Sequence, residues 1–128
     1  MHNSPRLMKG ADRCTALLHP DDAASRGLSD GQRVRVASPT GTIEVPLECS
    51  DQMRRGVVSI PHGFGHNRAG VGWRVAAANA GASVNDITDP TIVDRLTGNA
   101  AVNDVPVRVE AVAPHTDTGR SAPQAVHA

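Results

Sequence analysis

Residues 19–66 read HPDDAASRGLSDGQRVRVASPTGTIEVPLECSDQMRRGVVSIPHGFGH, and the alternation inside this stretch decides the fold. Gln32 to Ser38 alternates through Val34 and Val36, Pro39-Thr40-Gly41 makes a tight turn, and Thr42 to Glu48 alternates through Ile43, Val45 and Leu47. The pattern is that of a β-hairpin. Arg33, Arg35 and Glu44 fall on its opposite face, which reads as a solvated surface with cross-strand pairing. Ahead of the hairpin, Pro20 stands near a helix start, Asp21 and Asp22 occupy the first turn, and Gly27 lies just past the end, with Leu28 placed to fold back. The acids suit the positive end of the helix dipole, so capping explains them without a catalytic role. Behind the hairpin, Val57, Val58 and Ile60 predict a central, buried strand that stops at Pro61, which has no N–H for a ladder.

That strand opens into His62-Gly63-Phe64-Gly65-His66. The glycines allow positive φ and close backbone approach, and the histidines supply donors or, when neutral, acceptors. Two readings follow. The loop is either a cradle for an anion or heterocycle, or a glycine-rich turn whose histidines cap nearby carbonyls.

Further out, Thr15 to Leu18 is a short strand candidate. Met1 to Ala11 has no clean periodicity, and His2, Asn3 and Ser4 directly before Pro5 are unusual first residues for a domain, as if an internal loop of a longer protein had been cut there. Residues 69–82 are rich in glycine and alanine and suit a short helix with Trp73, Val75 and Ala76 on one side. In SVNDITDP, Asn85 and Asp86 sit between Val84 and Ile87 at the edge of a short strand or turn. Residues 91–103 form a surface excursion with a Gly98-Asn99 turn. Alternation returns from Val105 to Val112, where Pro106 implies an edge position. One domain thus covers 1–112, and 113–128 reads as a disordered tail in which His115 and His127 carry no functional weight.

A chain of 128 residues can bury a real core without metal or disulfide staples. Thirteen basic and thirteen acidic residues cancel, so no long-range field gathers nucleic acid or an acidic membrane. Phe64 and Trp73 are the only aromatic residues, leaving no stacking platform for single-stranded bases. Fifteen valines favour sheet, and Val34, Val36, Ile43, Val45, Val57, Val58 and Val107 form the expected core. Cys14 and Cys49 belong to no CxxC pair, so they read as buried, reduced thiols and the chain as cytoplasmic. No apolar run reaches the length of a membrane span.

Short strands, one capped helix, a hairpin and long crossovers predict a mainly β chain, closed or nearly closed into a small barrel. No GxGxxG follows a strand, which argues against a doubly wound dinucleotide fold. From His2 to about Val109, with MHNSPRL, PHGFGH and VND as its most specific parts, the chain closely resembles the C-terminal cofactor-binding domain of bacterial molybdopterin-dependent oxidoreductases. These are the formate dehydrogenase, nitrate reductase and dimethyl sulfoxide reductase-like enzymes. The resemblance implies a six-stranded double-psi β-barrel with short helices. It also implies that the domain closes over a molybdopterin guanine dinucleotide bound mostly by preceding domains, which are its expected partners in the same polypeptide or as a separate subunit.

Carried over by position, the implied cofactor contacts are His2, Asn3, His62, Gly63, His66 and Asn85, with Phe64, Asp86 and Arg68 beside them. Asn85 can give and accept on a pterin or guanine edge and Asp86 can accept from an amino group; capping a turn through their own backbone is the rival reading, with more force for Asp86 than for Asn85. His62 and His66 alone are too few for a zinc site. The resemblance places the molybdenum ligand and iron–sulfur cysteines in other domains, so neither a catalytic nor a metal-ligating residue is expected here, and the chain alone should show no turnover. A different class of function, a double-psi adaptor that binds protein or peptide partners without a cofactor, is the alternative. A self-processing decarboxylase is excluded, because no Gly-Ser dipeptide occurs.

Overall fold

In the computed structural model, which describes residues 2–113, the hairpin forms where the alternation requires it. Strand β2 (Arg33–Ala37) runs antiparallel to β3 (Thr42–Cys49), with Val34 opposite Val45 and Val36 opposite Ile43. All four are buried. Arg35 faces Glu44 on the outer surface at 3.3 Å, an exposed pair worth about 0.2–1 kcal/mol. In the turn the Ser38 N–H donates to the Gly41 carbonyl, and the Ser38 hydroxyl accepts from the amides of Thr40 and Gly41.

The other flank of β3 pairs with β1 (Ala16–Leu18) in parallel, Ala16 opposite Leu47 and Leu18 opposite Cys49. Parallel neighbours need a crossover, and α1 (Pro20–Ser25) together with β2 supplies it. Helix α1 is capped at both ends. The His19 ring accepts from the Asp21 N–H, Pro20 takes the first position, and Gly27 adopts φ +65°. The Gly27 N–H then reaches Ala24 and the Leu28 N–H reaches Ala23, burying Leu28. The first-turn acids do more than face the dipole: Asp22 accepts from the Gly56 N–H at 2.6 Å and Asp21 pairs with Arg55. They fix the approach to the next strand.

That strand, β4 (Val58–Ser59), is antiparallel to β1, and β5 (Arg108–Ala111) is antiparallel to β2. The sheet order is β4-β1-β3-β2-β5, so β3 is central and β4 is an edge, not the central strand expected. Because β1 offers only three residues, the ladder engages Val58 and Ser59 and leaves Val57 45% exposed, outside the core. Val58 and Val107 are half-buried against that core, whose largest fully buried side chains include Leu47 and Cys14. Cys49 is only half-buried, and both cysteines are free.

The sheet is mainly β with five strands where the resemblance implied six. Helix α2 (Arg74–Ala78) is short, with Ala76 buried but Trp73 53% exposed. Asn85 and Asp86 lie on a 3₁₀ turn, Val84–Ile87, the turn of the two alternatives expected for this segment. The excursion is closed by pairing of Val93 with Ala100 and by the Asp94 N–H to Asn99 bond. Pro106 falls just before β5, at the edge as expected. The tail expected over 113–128 lies, after Ala113, outside the described residues.

The 3₁₀ turn buries Ile87 and presses its backbone on the hairpin. A Cβ on Gly41 would stand 2.2 Å from the Asp86 carbonyl oxygen. Gly41→Ala is therefore expected to destabilise the fold by about 1–3 kcal/mol, read as a lower urea midpoint with an unchanged m-value.

Candidate functional site

Past Pro61 the backbone turns through Gly63 (φ +95°) and Gly65 (φ +96°). Side chains are excluded at both: a Cβ would meet the His2 ring at 2.9 Å in one case and Ser83 at 2.6 Å in the other. The left-handed φ and these contacts demand glycine. The Gly65 N–H donates to the Ala80 carbonyl at 2.6 Å, tying the loop to the chain beyond α2.

The Gly63 carbonyl receives two imidazoles, His2 through Nδ1 at 2.5 Å and His66 through Nε2 at 2.6 Å. A carbonyl oxygen only accepts, so both of these nitrogens carry hydrogen. His2 Nε2 and His66 Nδ1 are left for other partners, as acceptors in the neutral rings and donors in the protonated ones. The His2 ring lies on Phe64 with centroids 4.6 Å apart, and His66 meets Trp73 at 5.2 Å. Beside them, Asn3 Oδ1 accepts from the amides of Val75 and Ala76.

Three distant segments thus converge. His2, Asn3, Gly63, Phe64 and His66 form one cluster, and the Gly65–Ser83 contact sets the 3₁₀ turn bearing Asn85 and Asp86 next to it. Asn85 is exposed, while Asp86 pairs with Arg68, joining two candidates to each other. Part of the capping alternative is also realised, since His66 does satisfy a nearby carbonyl. His62 is set apart from the other two rings. It lines an open groove of about 920 Å³ flanked by both sheet edges, β4 and β5, with Leu18, Val84 and Ile87 among its apolar walls.

Two contributors escaped the sequence reading. Trp73 is the ring partner of His66, and its signal was no more than being one of two aromatics in the chain. Asp104, which also lines the groove, is the one non-glycine residue with positive φ (59°) among the described residues, and the Asn103-Asp104 pair is its signal in the sequence. Among the described residues no group of three or more His, Cys, Asp or Glu side chains gathers as a metal site.

Comparison with known proteins places this arrangement in a class. The molydopterin dinucleotide binding domain family matches residues 1–106, and the chain belongs to that family. It is 33% identical over 88 residues to the dimethyl sulfoxide/trimethylamine N-oxide reductase of Rhodobacter capsulatus, covering 69% of this chain and 8% of that protein. It is 35% identical over 92 residues to the molybdopterin-containing subunit of the arsenate respiratory reductase of Chrysiogenes arsenatis, covering 67% and 10%. A tetrathionate reductase chain of Salmonella typhimurium is 27% identical over 125 residues, covering 84% and 12%. The chain therefore spans about a tenth of the length of these relatives. Its fold is like that of acetylene hydratase from Pelobacter acetylenicus, with a TM-score of 0.64 at 20% identity over 77% of this chain and 14% of that one.

The donor set fits a dinucleotide of this kind. His2 Nε2, His66 Nδ1, the exposed His62 ring and the exposed Asn85 amide offer uncommitted polar atoms, and the glycines keep side chains from crowding them.

Beneath the loop sits Cys14, whose sulfur accepts from the Ala82 N–H at 3.2 Å and would be 2.5 Å from a Cβ on Gly81. Burial is the main cause that raises its pKa above the ordinary 9.0, with the Ala82 amide opposing and Asp12 adding to the rise. A raised folded-state pKa means that this thiol's contribution is full below 9.0 and is lost as pH climbs through the folded value. Cys14→Ala is expected to flatten the fall of Tm with pH above 9.0, measured by thermal melts across the alkaline range, even though the variant starts less stable.

Proposed function

We propose that this chain closes over a molybdopterin guanine dinucleotide within a larger molybdenum-dependent oxidoreductase, binding and orienting the cofactor without supplying a catalytic residue. The observation that carries the reading is the pair of imidazoles held on the Gly63 carbonyl, which fixes both rings and leaves one nitrogen of each, His2 Nε2 and His66 Nδ1, uncommitted. His2 Nε2, His66 Nδ1 and the His62 ring would hold phosphate or pterin atoms, and the Asn85 amide a heterocycle edge. Phe64 and Asp86 support these contacts, the first beneath His2 and the second through Arg68. When bound, the cofactor supplies two-electron redox chemistry.

Its partners in this reading are the remaining catalytic domains, in the same polypeptide or a separate subunit, and neither nucleic acid nor membrane. The relatives support it, because all three are reductases by name and one of them is named as a molybdopterin-containing subunit. We read the curled sheet as the larger part of a six-stranded double-psi barrel, supported by the parallel β1–β3 pair and by two sheet edges that flank one groove. Two unpaired thiols suit a reducing compartment such as the cytoplasm.

The test is the molybdenum and guanine nucleotide content of the native protein recovered without oxygen. Near-equimolar metal is expected. His62→Ala and Asn85→Ala should each lower retained cofactor about tenfold or more, the loss of one hydrogen bond to a charged or polar group. Well-folded native protein lacking both molybdenum and nucleotide would refute the reading.

A further inference from the structure

We infer that Asn3 is a positioning residue: with His2 it forms a strap that holds the Gly63 loop against α2, so it serves the cofactor site through that loop instead of touching the cofactor. Only the last step, from loop to cofactor, rests on the function proposed above.

Helix α2 has five residues and cannot hold its shape by propagation alone. Trp73, at its N-cap, gives no side-chain hydrogen bond, so the first N–H groups need a partner from elsewhere. Asn3 is that partner. Its Oδ1 accepts from Val75 at 3.1 Å and Ala76 at 3.2 Å, the two positions a local capping side chain would serve, across 72 and 73 residues of sequence. Ala76 is buried, so its N–H has no water to fall back on. Two N–H donors can be met only by the amide oxygen, which fixes how the side chain is turned.

The neighbouring residue carries the effect to the loop. His2 donates to the Gly63 carbonyl and covers Phe64, and one peptide link joins it to the cap. The loop is anchored a second time where the Gly65 N–H meets Ala80, two residues beyond the end of α2. His66 lies against Trp73 at the start of the same helix. The loop is thus held by the strap at Gly63 and by α2 and the chain just beyond it at His66 and Gly65, and Asn3 is the bond that joins the strap to the helix.

Asn3→Ala and Asn3→Asp separate this role from direct contact. Aspartate keeps the capping oxygen but replaces the amide NH₂ by a second acceptor, which a phosphate or pyrophosphate would repel. Hydrogen exchange of the native protein, resolved by peptide, is read over 62–66 and 74–78, with β3 as the folding control, and bound molybdenum is measured beside it. Asn3→Ala is expected to speed exchange about tenfold in both segments, to leave β3 unchanged and to lower bound molybdenum, while Asn3→Asp restores all three to wild-type values. Wild-type exchange in Asn3→Ala would overturn the strap. So would an Asn3→Asp protein with wild-type exchange but as little molybdenum as Asn3→Ala, since that pattern belongs to direct contact. If the wild-type protein carries no molybdenum, the cofactor reading falls, and the exchange data still decide the strap.

Discussion

Strand β3 is hydrogen-bonded on both flanks and in opposite senses, antiparallel to β2 and parallel to β1. Everything else in the sheet is attached to one of those two neighbours. Leu47 marks the point of commitment: buried in the core, it donates to the Gln32 carbonyl at 2.7 Å and accepts from the Gly31 N–H at 2.8 Å. Antiparallel pairing of β2 and β3 follows from a short turn. The parallel pair does not, because the chain must leave β1, travel through α1 and return with the right register. The two caps of α1 and the Asp22–Gly56 bond therefore matter beyond the helix itself, since they fix where the chain leaves β1 and where it later rejoins it as β4.

The site is held by a different kind of force. The sheet rests on buried valine, leucine and isoleucine, whereas residues 2–3, 62–68 and 73–87 meet largely through a carbonyl shared by two imidazoles, an amide capping a helix, one ion pair and three ring contacts. Each such contact is worth only about 0.5–1.5 kcal/mol net, but each is directional. Such directional contacts fix ring positions in a way that apolar packing alone does not.

What the sequence made legible was local. Gly27-Leu28 announced the end of α1, and the alternation through Val34, Val36, Ile43 and Val45 announced both strands of the hairpin and their buried face. The motifs HGFGH and VND lie side by side in the fold, brought together where Gly65 meets Ser83. Long-range partnerships were not legible: Asn3 with α2, Asp21 with Arg55, and Asp86 with Arg68 are joined only by the fold. The exposure of Val57 was hidden for the same reason, because its burial depended on the length of β1, a different strand, and not on its own β-branched side chain.

Both margins of the sheet are blunt. β4 has two paired residues and is followed closely by Pro61, while β5 begins after Pro106 and displays Arg108 and Glu110 outward. A margin this short, interrupted by proline or charged, presents too few consecutive N–H and C=O groups to template the addition of a foreign strand. The groove between the margins thus stays open to solvent without turning the molecule into a seed for aggregation.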